Sequence, residues 1–318
     1  MCSASSTIGV KSSPRSAKIE LYESMKHTFA LCLILTSALL PPGDALAAVS
    51  VNDDAGFAVS LAAPAKRIVS LAPHTTELLF AIGAGNDVVG VSQFSDYPEA
   101  ARHLPQLGGA AGFDLERIAA LKPGLVVVWK SGVSPAQIES LKKLGFPVFE
   151  SEPQDLATVA SSLERLGQLA GRSEEGRQAA AAFRTRWQRL AAHYEHAATV
   201  TVFYQIWNAP LMTLNDHHLA SAAIALCGGR NVFGKLAPLV PTVTEEAVLA
   251  ANPDVILTGS DAGAEALAPW KKFSQMKAVQ RDNLFALDSA PLTRGSPRIL
   301  DGAEAVCSKL DIARARKQ

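Results

Sequence analysis

Short apolar runs alternate with stretches of helical spacing through most of this chain. Arg67-Ile-Val-Ser-Leu71 reads as a buried strand, and apolar positions from Thr75 to Ile82 then fall at helical intervals. Val88-Val-Gly-Val91 is a second strand. Asp114 to Leu121 is a helix stopped before Pro123, and Leu125 to Trp129 is a third strand. Gln137 to Leu144 is helical up to Gly145, and Pro147-Val-Phe149 is again a strand. Strands interleaved with helices in this way predict parallel β-α-β units.

A different pattern runs from Ser173 to Ala198, Ala/Arg/Gln-rich and without a breaker. Ser173 is placed to cap it, and Glu174 and Glu175 suit the positive end of the helix dipole. At about 1.5 Å per residue this helix would approach 40 Å, enough to bridge two lobes. A second α/β series begins at Val200–Ile206 and continues through Val255-Ile-Leu257 and Leu284-Phe-Ala-Leu287. The expected fold is therefore α/β: two Rossmann-like lobes with parallel sheets, joined by one long helix. The lobes are expected at about 66–170 and 199–318, with the linking helix at about 173–198. An internal match supports the division. Asp114-Leu-Glu-Arg-Ile-Ala-Ala-Leu-Lys-Pro123-Gly-Leu-Val-Val-Val128 aligns with Thr244-Glu-Glu-Ala-Val-Leu-Ala-Ala-Asn-Pro253-Asp-Val-Ile-Leu-Thr258. Each has a capping residue, a Glu two positions later, two helical turns, a Pro stop and a buried strand.

The N-terminal region reads as an address. Met25-Lys-His opens it, an apolar stretch follows from Thr28 to Leu40, and Ala45-Leu-Ala47 supplies a cleavage site. Those three parts make a Sec-type signal peptide. Residues 1–24 would be an upstream extension, with translation starting at Met25 and cleavage after Ala47. The alternative is a membrane anchor, for which the run falls short of the roughly 20 apolar residues a span needs. Cys32 lacks the small preceding residue of a lipid-attachment site.

Charge and cysteine content narrow the function classes. The 318 residues carry 30 basic and 30 acidic side chains, so no basic nucleic-acid-binding surface is expected. Export would leave only Cys227 and Cys307 of the four cysteines. In an oxidising compartment two thiols most simply pair; two separately buried thiols are the alternative.

Catalytic signatures are missing. Gly83-Ala-Gly85 follows a helix and so marks its end, not a dinucleotide loop. Neither a phosphate-binding loop, nor a nucleophile elbow, nor a zinc-protease helix motif occurs. His217-His218 sits on a polar stretch, read as solvated in preference to metal-binding. His74 stands where the first strand meets its helix, a ligand-facing position in open sheets, although local packing also explains it. Phe94, Trp129 and Trp207 fall at or beyond strand carboxyl ends, where a broad apolar ligand would sit. Arg294 and Arg298 follow the last strand and offer donors to carboxylates, amides or phosphate.

Several of these segments together resemble one family. Arg67-Ile-Val-Ser-Leu-Ala-Pro-His-Thr-Thr-Glu77-Leu, Gly90-Val-Ser-Gln-Phe-Ser-Asp-Tyr-Pro98 and Leu115-Glu-Arg-Ile-Ala-Ala-Leu-Lys-Pro123 are similar to the vitamin B12-binding proteins of ABC importers. Leu226-Cys-Gly-Gly-Arg-Asn-Val-Phe233 and Ser296-Pro-Arg-Ile299 extend the likeness, which spans about residues 66–310. That family lies within the iron-siderophore, haem and B12 binding class. The resemblance implies a class III periplasmic binding protein, monomeric, with its ligand in the cleft between the lobes. It implies a disulfide between Cys227 and Cys307. It also implies ligand contacts from Phe94, Trp129, Trp207 and Arg294, and permease docking through Glu116 and Glu246. No resident cofactor or metal is implied; cobalamin or a related corrinoid would be cargo. The chain departs from the pattern at Ala110 and Val240, where the family has tryptophans, and at Ala290, where it has an acid. Haem or a ferric siderophore is the alternative cargo. An α/β hydrolase-type or metal-dependent enzyme is the competing class.

Overall fold

The structure is a computed structural model that describes Gly9 and residues 48–109, 111–259 and 264–317. The expected signal segment, Gly9 apart, and Ala110 lie outside the described residues. An antiparallel hairpin of β1 (Val49–Asn52) and β2 (Ala58–Leu61) precedes the first α/β series. That series runs β3 (Ile68–Leu71), α1 (Pro73–Ala81), β4 (Val88–Val91), α2 (Leu115–Ala120), β5 (Leu125–Trp129), α3 (Pro135–Lys143), β6 (Val148–Ser151) and α4 (Leu156–Leu169). Its four strands form a parallel sheet in the order β4-β3-β5-β6. Both faces are covered, which is why the strands read as continuous apolar runs. Leu125 and Val127 of β5 join the layer of α1 and α4, while Val126 and Val128 meet Ile118 of α2 and Ile138 of α3.

Next comes α5 (Ser173–Tyr194), whose 22 residues span about 33 Å. It is shorter than expected. Ser173 is its first helical residue and not its cap; Arg172 holds the cap position without a side-chain bond to the helix. The helix crosses α4 at a glycine pair: a Cβ on Gly167 would stand 3.0 Å from the Gly176 Cα. At its other end Arg186 pairs with Asp301 at 2.6 Å and Glu304 at 2.7 Å.

The second series is β7 (Val200–Gln205), α6 (Leu219–Leu226), β8 (Gly229–Asn231), α7 (Glu245–Ala251), β9 (Val255–Gly259), β10 (Leu284–Leu287), α8 (Ser289–Thr293) and α9 (Ile299–Ala315). Its parallel sheet has the order β8-β7-β9-β10. The internal match holds in detail. β5 and β9 are each the third strand in order. Asp114 accepts the Arg117 N–H at 2.9 Å, and Thr244 accepts the Ala247 N–H at 3.2 Å. Lys122 and Asn252 close the two helices in the left-handed region, at φ 46° and 42°.

The lobes are not independent. Leu219 of α6 and Ile299 and Leu300 of α9 are buried in the core of the first sheet. Leu226 touches that core and the core of the second sheet. Cys227, at the end of α6, is bonded to Cys307 of α9, with Cα atoms 4.9 Å apart. Among the described residues no helix is long and apolar enough to cross a membrane.

Candidate functional site

In each β-α-β unit the strand carboxyl ends and helix starts share one side, and ligands bind there in open sheets. Here that side carries a cleft of about 760 Å³ whose walls include His74, Trp129 and Glu152 from the first series. Asp216, His217 and Arg294 come from the second. A cavity of about 520 Å³ shares Thr293 with it and is lined by Tyr204, Trp207, Gly259 and Ser289. The two volumes together suit a ligand larger than a sugar or an amino acid.

Trp129 is the residue at which β5 leaves the core, and it is 42% exposed after four buried neighbours. Its indole N–H donates to Glu152 Oε1 at 3.3 Å, and the ring of His74 meets it edge-on at 5.9 Å. The same carboxylate accepts the Ser131 N–H at 2.8 Å. Trp207 does not end a strand as expected. β7 stops at Gln205, and Trp207 starts a small hairpin against Met212, where it is 60% exposed. Phe94 is the most exposed of the three aromatics at 76%, with φ at 63°, but it lines neither cavity. It stands at the edge, where its carbonyl accepts a hydrogen bond from Arg294.

Arg294 does more than face the cleft. Its Nη1 donates to Glu77 Oε1 at 2.9 Å and to Asp96 Oδ1 at 2.6 Å, and its Nη2 to the Phe94 carbonyl at 3.2 Å. Burial opposes its charge, but the bonds to Asp96 and Glu77 outweigh burial and hold its pKa above the usual arginine value. Glu77, buried on α1, also accepts from Ser296 at 2.5 Å and Arg298 at 3.3 Å. Arg298, read from sequence as a ligand donor, lies over the Tyr97 ring at 4.1 Å. Three residues of segment 294–298 are thus fastened to one carboxylate of the first lobe. Sequence reasoning gave Glu77, Asp96 and Ser296 no role. The available signal was a carboxylate inside α1, among residues that are otherwise apolar or neutral.

His74 is buried, with Nε2 3.2 Å from Ser151 Oγ. His218 was read as a solvated loop residue, but it is partly buried and caps α6, its Nδ1 accepting the Ala220 N–H at 3.1 Å. His217 beside it is exposed on the cleft wall. Among the described residues no three His, Cys, Asp or Glu side chains converge to hold a metal ion. Val240 packs against the second core and Ala290 lies within α8. Glu116 and Glu246 are both exposed, in the first turns of α2 and α7.

Residues 68–291 match the periplasmic binding protein family. The chain belongs to that family. It is similar to the vitamin B12-binding protein of Vibrio cholerae, 38% identical over 251 residues, which cover 79% of this chain and 91% of that one. The crystal structure of the periplasmic vitamin B12-binding protein BtuF of Vibrio cholerae superposes with a TM-score of 0.74. That match has 37% identity and covers 79% of this chain and 98% of that one. A periplasmic haem-binding protein from Pseudomonas aeruginosa is 25% identical with a TM-score of 0.68, covering 77% and 92%.

In this periplasmic binding protein the cleft histidine sets a pH response. Burial, aided by the positive Arg294, pushes the His74 pKa down to about 3. Unfolded, it would titrate near 6.5. Between those values the unfolded chain binds the extra proton, so stability falls as pH falls from 6.5 towards 3. By pH 5 the loss from this group is expected to reach about 2 kcal/mol. His218, pushed down to about 4 by burial, acts in the same sense. Thermal melts of His74→Gln between pH 7 and 5 should be flatter than wild type; parallel curves would exclude His74 as a source.

Proposed function

We propose that this chain is the substrate-binding component of an ABC importer, capturing cobalamin or a related corrinoid and delivering it to the membrane permease. One observation carries the reading: a two-part cleft at the carboxyl ends of both sheets, with Trp129 and Trp207 exposed on its walls and Phe94 at its edge. The likeness to B12-binding relatives supports the ligand. The binding is non-covalent. Aromatic faces cover the macrocycle, Arg294 and His74 meet its polar rim, and no bond is made or broken, so the protein acts as a carrier and not as an enzyme. Segment 1–47 directs it to the periplasm, and it works there as a monomer. The domains are the signal segment with its extension, the lobes at about 66–170 and 199–318, and the long helix between them. A haem cargo is the second reading, favoured by the haem-binding neighbour from Pseudomonas aeruginosa.

A competitive titration with cyanocobalamin, haemin and ferric siderophores tests the choice. Cyanocobalamin is expected to saturate one site and to resist displacement; preferential binding of haemin or a siderophore would replace the corrinoid reading. Trp129→Ala provides the residue-level check. Stacking on a wide π-surface contributes about 0.5–1.5 kcal/mol in addition to the area covered. Affinity should therefore fall about tenfold or more, with the melting temperature held near wild type. Unchanged affinity would make Trp129 only the outer edge of the core.

A further inference from the structure

The charge of the cleft bears on which rim chemistry it accepts. Among the described residues its lining has one cationic side chain, Arg294, and three carboxylates: Glu152, Asp155 and Asp216. The Arg294 charge is already matched, because Glu77 and Asp96 both lie within 3 Å of its Nη1. What it keeps is hydrogen-bonding capacity. Both Nη1 hydrogens and one on Nη2 are used, while the Nε–H and the other Nη2 hydrogen have no partner among the described residues.

The acidic side is not matched. None of the three wall carboxylates forms an ion pair among the described residues. Asp155 spends its charge on the start of α4, accepting the Thr158 N–H at 2.6 Å. Glu152 holds only neutral donors, from Trp129 and Ser131. Asp216 is exposed on the opposite wall. Of the two histidines on these walls whose pKa is displaced, both are pushed down by burial, and neither adds a positive charge at neutral pH. Among the described residues the smaller cavity has no charged side chain in its lining.

We infer that this cleft selects a ligand whose rim is amide-like and uncharged or cationic, and rejects rims bearing carboxylates, with Glu152 and Asp216 as the discriminating residues. The inference rests on the proposed macrocycle-binding role and narrows its substrate class. A carboxylate rim would bring like charges together in a partly desolvated space, where screening by salt is weaker than in open water. An amide rim can instead accept from the unused Arg294 hydrogens.

Two ligand pairs that differ only in rim charge test this on the full-length mature protein. One is cyanocobalamin against its monocarboxylic acid, in which a single rim amide is hydrolysed. The other is haemin dimethyl ester against haemin. At low salt the uncharged member of each pair should bind at least tenfold more tightly, and the gap should narrow as salt is added. Asp216→Asn, whose side chain makes no hydrogen bond or ion pair among the described residues, should shrink the gap. Glu152→Gln with Asp216→Asn should bring the ratio close to one. Because a ratio is read, a general loss of affinity from disturbed packing does not imitate the result. Equal affinities within both wild-type pairs, no measurable binding of either pair, or an undiminished gap in both variants would overturn the inference. If cyanocobalamin fails to bind while the haemin pair separates as described, the corrinoid reading falls and the charge rule stands.

Discussion

Reversing the charge at both Glu116 and Glu246 is expected to abolish uptake of cyanocobalamin into vesicles carrying the permease, while ligand affinity stays at the wild-type value. The two residues occupy equivalent places in the lobes. Each stands two positions after a capping side chain, on the helix that leads into the third strand of its sheet. Both are exposed and neither forms an ion pair among the described residues, whereas the adjacent Glu245 is held by Lys272 at 3.0 Å. Hydrogen bonds to its own backbone N–H and with Thr244 hold Glu246 below the usual glutamate pKa, so it is ionised at neutral pH. Either glutamate is also good local chemistry for a helix start, worth about 0.3–1 kcal/mol. That local role predicts a small loss of stability and no loss of transport. Docking predicts the reverse, with single reversals intermediate and the wild-type encounter weakening as salt is raised. Normal uptake by Glu116→Arg with Glu246→Arg would leave the pair as helix-start residues only.

Removing the Cys227–Cys307 bond should cause the largest loss of stability among the changes considered. It closes a loop of 80 residues, and restricting the unfolded chain over that length contributes about 4 kcal/mol in the loop-entropy model. Typical domain stabilities are only about 5–15 kcal/mol. Cys227→Ala with Cys307→Ala should therefore melt on the order of 10 °C lower. The paired substitution avoids leaving a buried thiol without its partner. An unchanged melting temperature would show that packing of α6 on α9 is sufficient without the crosslink.

The sequence exposed what is local and hid what is not. β3, β5, β7 and β9 were legible because a strand covered on both faces is apolar at nearly every position. The capped helices at Asp114 and Thr244 were legible because the cap, the apolar spacing and the proline stop lie within ten residues. Residues 156–169 were not assigned, although they form α4: the cap at Asp155 and the helically spaced Leu156, Val159, Leu163 and Leu166 were a local signal that went unread. Trp207 was placed correctly near the cleft and wrongly at a strand end, since the hairpin that carries it depends on pairing with Leu211 and Met212. Arg294 was legible as a residue facing the strand ends, where it lines the cleft, but its partners were not. Glu77 lies 217 positions away and Asp96 lies 198 away, and no periodicity connects them.

That long-range fastening has a mechanical consequence. Leu219, Ile299 and Leu300 are embedded in the first lobe's core, and Ser296, Arg294 and Arg298 grip Glu77 beside it. A wide opening would have to tear apolar surface out of that core and strand a buried carboxylate without its cations, each a change of several kcal/mol. These contacts oppose wide opening, so ligand entry is expected to need little movement of one lobe against the other. The separation between Glu116 and Glu246 is then a property of the frame, nearly the same with the cleft empty or filled. A permease docking on those two glutamates would then meet nearly the same spacing in both forms.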